Sequence, residues 1–191
     1  MKPTIGTKAK DFSLIGTDGK THALRELDDK KAVLVIFSCN HCPYVIGSEE
    51  RMIHFAHDFM PRGVGMVAIN SNETEGHPGD SFDNMVIRSK ERGFTWPYLR
   101  DDDQSVALAY GALRTPHYYV FDSGRKLAYT GRMDDNPRNV ALAKTHELRD
   151  AVEAMLAGRK PPLAITNPIG CNVKWSGKER HWMPPEACDL V

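Results

Sequence analysis

The sequence predicts an α/β sandwich built on a mixed sheet, with parallel strands first and an antiparallel hairpin last. Three observations carry this. Lys31 to Ser38 (KAVLVIFS) and Val64 to Asn70 (VGMVAIN) are unbroken apolar runs rich in β-branched residues, the pattern of strands buried on both faces. Between them, Met52, Ile53, Phe55, Ala56 and Phe59 recur at helical spacing, and a strand–helix–strand unit crosses right-handed into a parallel pair. Further on, HYYVFD (His117 to Asp122), the turn SGR and then KLAYTGR read as a hairpin.

The remaining elements follow in order. DFSLIGTDGKTHAL alternates around Asp18-Gly19 and suits an N-terminal hairpin. The helix over Ser48 to Phe59 is stopped by Pro61 and Gly63. After the polar loop SNETEGHPGD, Asp80 or Ser81 caps a helix that runs to about Arg92 and is ended by Gly93. Asp101 to Tyr110 reads as a short helix with acidic residues at its start, where the helix dipole favours them. Ala143 to Leu156 is the last helix, closed by Gly158 and Pro161-Pro162. The 191 residues suit one domain, 1–160, and an extension without clear period, 161–191, that packs on it.

Composition narrows the function. Twenty-five basic residues balance twenty-five acidic ones, so no net positive field favours nucleic acid or an anionic membrane. No apolar h-region opens the chain and no apolar run approaches the roughly 18 residues of a spanning helix, so a cytoplasmic protein is expected. The four cysteines, Cys39, Cys42, Cys171 and Cys188, make no disulfide framework. In such a chain a close pair is more often catalytic or metal-binding than structural.

Cys39 and Cys42 stand where the first buried strand ends, the place where ligands and chemistry gather in open α/β sheets. Cys39 is expected at the exposed turn beside the N-terminus of a helix, which stabilises a thiolate, with Cys42 one turn deeper. Pro43 costs little in a first turn. Between the cysteines lie Asn40 and His41, and the His41 ring is expected to stabilise the Cys39 thiolate. The functional reading is a redox dithiol with Cys39 as nucleophile and Cys42 as resolver. Two others stay open: a coincidental pair of core cysteines, and half a metal site. For the latter, His54 stands 12 residues beyond Cys42, roughly 18 Å along a continuous helix and out of reach; Cys171, His181 and Cys188 in the tail could contribute ligands, but no second CxxC or HxxxH supports this. A peroxide-reducing cysteine fits less well, because its Thr three residues ahead of the attacking cysteine is missing: Ile36 precedes Cys39, and Cys39 itself precedes Cys42.

VLVIFSCNHCP resembles the strand–CxxC–helix signature of the thioredoxin superfamily. YGALRTPHYYVFDSGRKLAYTGR is similar to the segment bearing that superfamily's cis-proline, and GTKAKDFSLIGTDGKTHALRELDDKKAVLV resembles the N-terminal extension of its redoxin branch, the relatives of alkyl hydroperoxide reductase and thiol-disulfide reductases. The resemblance covers roughly Ile5 to Gly158 and implies a thioredoxin-like three-layer sandwich with an N-terminal β-hairpin extension. It implies Cys39 as nucleophile, Cys42 as resolving cysteine, Pro116 as the cis-proline and Thr115 as the residue before it, in a loop that offers backbone groups to a client. Asn40, Thr115 and His117 are the expected substrate-binding positions. Two features depart from thioredoxin. Val33 stands where thioredoxin has a buried acid, and the CNHC motif, with His before the second cysteine, is closer to the oxidising members.

His117 either lines the site or points from its strand to solvent. Cys171 either approaches the dithiol as a third redox cysteine, bridging Cys39, or is a small buried hydrophobe. Cys188 is incidental, Trp175 and Trp182 anchor the tail, and Asp134 and Asp135 lie in a solvated loop. The reading is a thiol–disulfide oxidoreductase without a bound cofactor or metal. It exchanges electrons with a disulfide-bearing protein or small thiol client and a cellular thiol reductant. The alternative is a copper-handling or other metal-binding module on the same fold.

Overall fold

A computed structural model of the chain describes residues 3–179 and 182–183. Cys188 and His181 lie outside them. The N-terminal hairpin is present: β1 (Ser13–Gly16) pairs antiparallel with β2 (Thr21–Ala23), and Gly19 takes the left-handed turn at φ 78°. β3 (Ala32–Phe37) and β4 (Val64–Asn70) are buried along their whole length and run parallel, Val35 opposite Val67. α1 (Pro43–Phe59) connects them. α2 (Phe82–Arg92) opens on Ser81, whose hydroxyl accepts the Asn84 amide, and closes on Gly93 at φ 64°. β5 (Tyr98–Arg100), α3 (Ser105–Tyr110) and β6 (Arg114–Thr115) follow. β7 (His117–Asp122) lies antiparallel to β3 and turns into β8 (Leu127–Gly131). α4 (Glu147–Leu156) and β9 (Cys171–Asn172) complete the described chain.

Seven strands form one mixed sheet in the order β2-β1-β5-β4-β3-β7-β8. The alternation within β3 divides the core. Leu34 and Ile36 face α1 and α4, packing with Val45, Met52, Phe55, Phe59, Leu148 and Val152. Val33, Val35 and Phe37 face the other way, onto Leu24, Val106, Tyr110, Val173 and Trp175. The result is the three-layer sandwich, with α3 and the tail covering the second face. Val173 alone, fully buried there, contributes about 1.5–3 kcal/mol of transfer free energy.

Besides the start of α1 at Pro43 rather than Ser48, two boundaries and one strand differ from the sequence reading. The acidic run 101–103 is not helical, because Gln104 adopts a left-handed conformation at φ 61° ahead of α3. The buried Asp101 instead caps α3 from outside, accepting the Val106 and Ala107 amides at 3.2 and 2.9 Å. The last helix begins at Glu147, since the Lys144 and Thr145 amides turn back to Asp135 Oδ1. β5, only three residues long, carries no period that sequence reading can register.

The segment 161–179 runs back along the domain. The Thr130 amide donates to the Ala164 carbonyl and the Thr166 amide to the Thr130 carbonyl, both at 3.0 Å. Lys174 is then held by its neighbours: its amide donates to Asn72 Oδ1 at 2.8 Å, and its carbonyl accepts from Gln104 Nε2 at 2.7 Å and the Glu73 amide at 2.9 Å. Between these anchors, β9 pairs antiparallel with β6.

Candidate active site

The turn after β3 builds the site. The Ser38 amide still follows the sheet, donating to the Ile69 carbonyl at 2.8 Å, and Cys39 then leaves its carboxyl end. α1 does not begin until Pro43, so Cys42 is the N-cap residue, extended at φ −71° and ψ 124°. The sequence reading placed Cys42 a turn inside the helix and Cys39 at an exposed turn. Instead both sulfurs precede the helix, both residues are buried (2% and 0% exposed), and it is Cys42 that stands at the helix's positive end.

Both sulfurs converge on one residue. The Cys39 thiol donates to Thr115 Oγ1 at 3.3 Å, and the Cys42 thiol to the Thr115 carbonyl at 3.1 Å. The next peptide bond, Thr115–Pro116, is cis. Burial above all, then the Cys42 sulfur and the charge of Asp80, push the Cys39 thiol well above its ordinary value. Cys42 moves the other way, down to about 5, because the Cys39 thiol hydrogen-bonds its anion. The Cys171 thiol and amide and the Val45 amide add to this against the cost of burial. The Thr115 carbonyl favours a protonated Cys42, but this group of donors outweighs it.

A buried carboxylate flanks the pair. Asp80, fully enclosed, accepts the Asn40 amide at 2.6 Å, Asn72 Nδ2 at 2.7 Å and His41 Nδ1 at 2.7 Å. Burial works against its charge, but these hydrogen bonds hold its carboxyl below the usual range. The bond to Asp80 raises His41, and burial of its ring offsets only part of that rise. His41 thus pairs with Asp80 beside Cys39. Its ring stacks on His77, centroids 5.2 Å apart, and His77 in turn pairs with Glu73. One donor atom each from Cys39, His41 and Asp80 lies within 4.8 Å of the others.

The other expected site residues divide. Thr115, Pro116 and Cys171 gather at the dithiol, Cys171 standing opposite Thr115 in the β6–β9 ladder. Asn40 is turned inward: its amide nitrogen donates to the Gly79 carbonyl at 2.9 Å and its oxygen accepts the Tyr98 hydroxyl at 2.9 Å, so it fixes the loop instead of facing a client. His117 neither lines the dithiol nor meets solvent. It is buried on the opposite face of the sheet, Nδ1 accepting from the Leu113 amide and the Tyr119 hydroxyl and Nε2 meeting Thr130 Oγ1 at 3.1 Å, and burial pushes it down to about 3.

Sequence reading missed Asp80 as a site residue. It saw Val33 in place of thioredoxin's acid and weighed Asp80 only as a helix cap. The available signal was the loop SNETEGHPGD at the carboxyl end of β4, beside the end of β3 where the cysteines stand.

The family model described as Redoxin matches residues 4–147. A search of the curated proteins returns no match. Among solved structures, an uncharacterized conserved protein from Geobacillus kaustophilus is 39% identical, with a TM-score of 0.87, covering 94% of this chain and 95% of its own. A hypothetical protein from Sinorhizobium meliloti is 38% identical, with a TM-score of 0.86 and coverages of 93% and 98%. The thioredoxin domain of a thiol-disulfide oxidoreductase from Bacteroides vulgatus shares the fold, with 18% identity, a TM-score of 0.60 and coverages of 73% and 96%.

Proposed function

Because the chain belongs to the redoxin family, a family of redox proteins, we propose that it is a thiol–disulfide oxidoreductase whose working couple is the Cys39–Cys42 dithiol. The observation that carries this is the convergence of both sulfurs on Thr115 at 3.3 and 3.1 Å. Two thiols held on one residue are arranged for exchange. In the reducing direction a client disulfide takes two electrons and leaves as two thiols, and a Cys39–Cys42 bond forms. One sulfur of the pair attacks the client disulfide as thiolate and the other closes the bond that releases it. Cys39 must release its proton for the bond to close, and the departing client thiolate takes it up. The clients are disulfide-bearing proteins or small disulfides, and a cellular thiol restores the dithiol, in the cytoplasm and without a bound cofactor. Among the described residues, no helix is long and apolar enough to cross a membrane.

Equilibration in graded glutathione buffers, with each disulfide mapped by peptide mass spectrometry, tests this. A reversible Cys39–Cys42 bond with a single potential is expected; if neither cysteine oxidises reversibly, the proposal fails. The second reading, a metal-binding module, is favoured by one observation: Cys39, His41 and Asp80 offer a sulfur, nitrogen and oxygen set within 4.8 Å. Stoichiometric metal in the purified protein, released by a chelator together with a change in thiol reactivity, would move the assignment there.

A further inference from the structure

The dithiol is closed to solvent, and a third sulfur stands beside it. Cys39, Cys42 and Thr115 are each at most 2% exposed, whereas Cys171 is half-buried. Cys171 reaches the pair because β9 lies along β6 with Cys171 directly opposite Thr115, the residue that accepts both thiols. Gly170 makes this approach possible: a Cβ there would stand 2.2 Å from the Thr115 carbonyl oxygen and 3.0 Å from the Pro116 nitrogen. The Cys171 thiol and amide favour the Cys42 anion, while the sulfur acting on Cys39 is that of Cys42. Cys42 is thus the sulfur of the pair that interacts with Cys171, whereas the bridge expected from sequence ran from Cys39.

Resting on the dithiol reading above, we propose that Cys42 forms a disulfide with Cys171 as well as with Cys39, and that Cys171 is the sulfur through which low-molecular-mass thiols and disulfides reach the buried pair. The exchange balances. With the Cys39–Cys42 bond formed, Cys171 attacks the Cys42 sulfur; the Cys42–Cys171 bond forms, the Cys39–Cys42 bond breaks, and Cys39 leaves with the electron pair and takes up the proton Cys171 gave up. An external thiolate then attacks the half-exposed Cys171 sulfur, making a mixed disulfide and releasing Cys42 as thiolate. A second external thiolate attacks the external sulfur of that mixed disulfide, freeing Cys171 and leaving a small-molecule disulfide. Two external thiols are oxidised and one protein disulfide is reduced; the reverse sequence oxidises the protein. The pKa values fit these roles. Burial and then the Cys42 sulfur raise Cys171 to about 11 in the reduced protein, and the second of these causes disappears once Cys42 is in a disulfide. Cys42, whose anion the freed Cys39 thiol stabilises, is the better leaving group in the second step.

The test uses the full chain oxidised by glutathione disulfide. Cys39→Ser removes the other partner of Cys42, and an intramolecular Cys42–Cys171 bridge is expected to accumulate. Cys171→Ser is expected to keep the Cys39–Cys42 couple but to slow its reduction by glutathione about tenfold or more, since attack must then fall on an enclosed sulfur. If Cys39→Ser gives no Cys42–Cys171 bridge, or if Cys171→Ser is reduced at the wild-type rate while the Cys39–Cys42 bond still forms, the relay is overturned and the dithiol function stands. If no variant forms a reversible disulfide at all, both fail together. Mapping of the Cys39→Ser protein leaves Cys171 intact, so its result does not depend on how well the tail tolerates substitution.

Discussion

Thr115 and Cys171 face each other across the two-residue ladder of β6 and β9, and Thr115 accepts the thiols of Cys39 and Cys42 from its other side. One residue therefore joins the strand–helix turn to the tail, and whatever loosens the tail opens the dithiol.

Gly170→Ala tests that connection. The new methyl meets backbone atoms of Thr115 rather than a side chain that could turn away. A loss of about 1–3 kcal/mol is expected from the enforced shift, together with faster alkylation of Cys39 and Cys42. Denaturant midpoints and iodoacetamide labelling measure the two. Unchanged labelling in a destabilised variant would mean that the tail does not guard the sulfurs.

The His41–Asp80 pair sets a pH window. Asp80 is lowered on folding, so its contribution is present above the unfolded carboxylate pKa and is lost as pH falls through the folded value. His41 is raised, so its contribution is present below the ordinary imidazole pKa and is lost as pH rises through its folded value. Stability from the pair is greatest in between, and Asp80→Asn should flatten both limbs. The same variant should lower the Cys39 pKa, since the Asp80 charge opposes that thiolate. Denaturation series from about pH 2 to about pH 9 span both groups; an unaltered profile would show that the pair is not coupled to folding.

His117 adds a separate acid limb. It is buried neutral and pushed down to about 3, so its contribution is present above the ordinary imidazole pKa and is lost as pH falls from about 6.5 toward that value. His117→Gln should remove this limb and leave the thiol potential unaltered. A shifted potential would return His117 to the site.

Glu49 ties α1 to α2. Buried on α1, it accepts Arg88 Nε at 2.8 Å and Nη2 at 2.7 Å, with Arg92 Nε at 3.0 Å. Replacing both arginines by alanine leaves an enclosed carboxylate without a cation, and a cost of about 3–5 kcal/mol is expected. Replacing Arg92 alone should cost far less, because Arg88 keeps its two-pronged contact. Equal losses in the single and double variants would contradict this.

The long buried strands, the capped α2 and the C-terminal hairpin were legible because each repeats one local signal over several residues: apolar runs in β3 and β4, Ser81 and Gly93 around α2, SGR between β7 and β8. The CxxC and the Thr115-Pro116 pair were legible as motifs. What could not be read was anything decided by tertiary placement. The inward orientation of Asn40 depends on Tyr98 and Gly79, distant in sequence, and the burial of His117 depends on which face of β7 meets Tyr119 and Thr130. The start of α1 at Pro43 and the approach of Cys171, over a hundred residues away, could not be read either.

The covering of the dithiol by β9 also has a consequence in time. On the ribosome Cys39 and Cys42 emerge well before Cys171. At about 5–20 residues per second, the roughly 130 residues between Cys42 and Cys171 take on the order of ten seconds to add. During that interval the nascent chain carries its two cysteines without the strand that later shields them. The tail is then the last part of the described domain to be translated and the part that closes the redox pair to solvent.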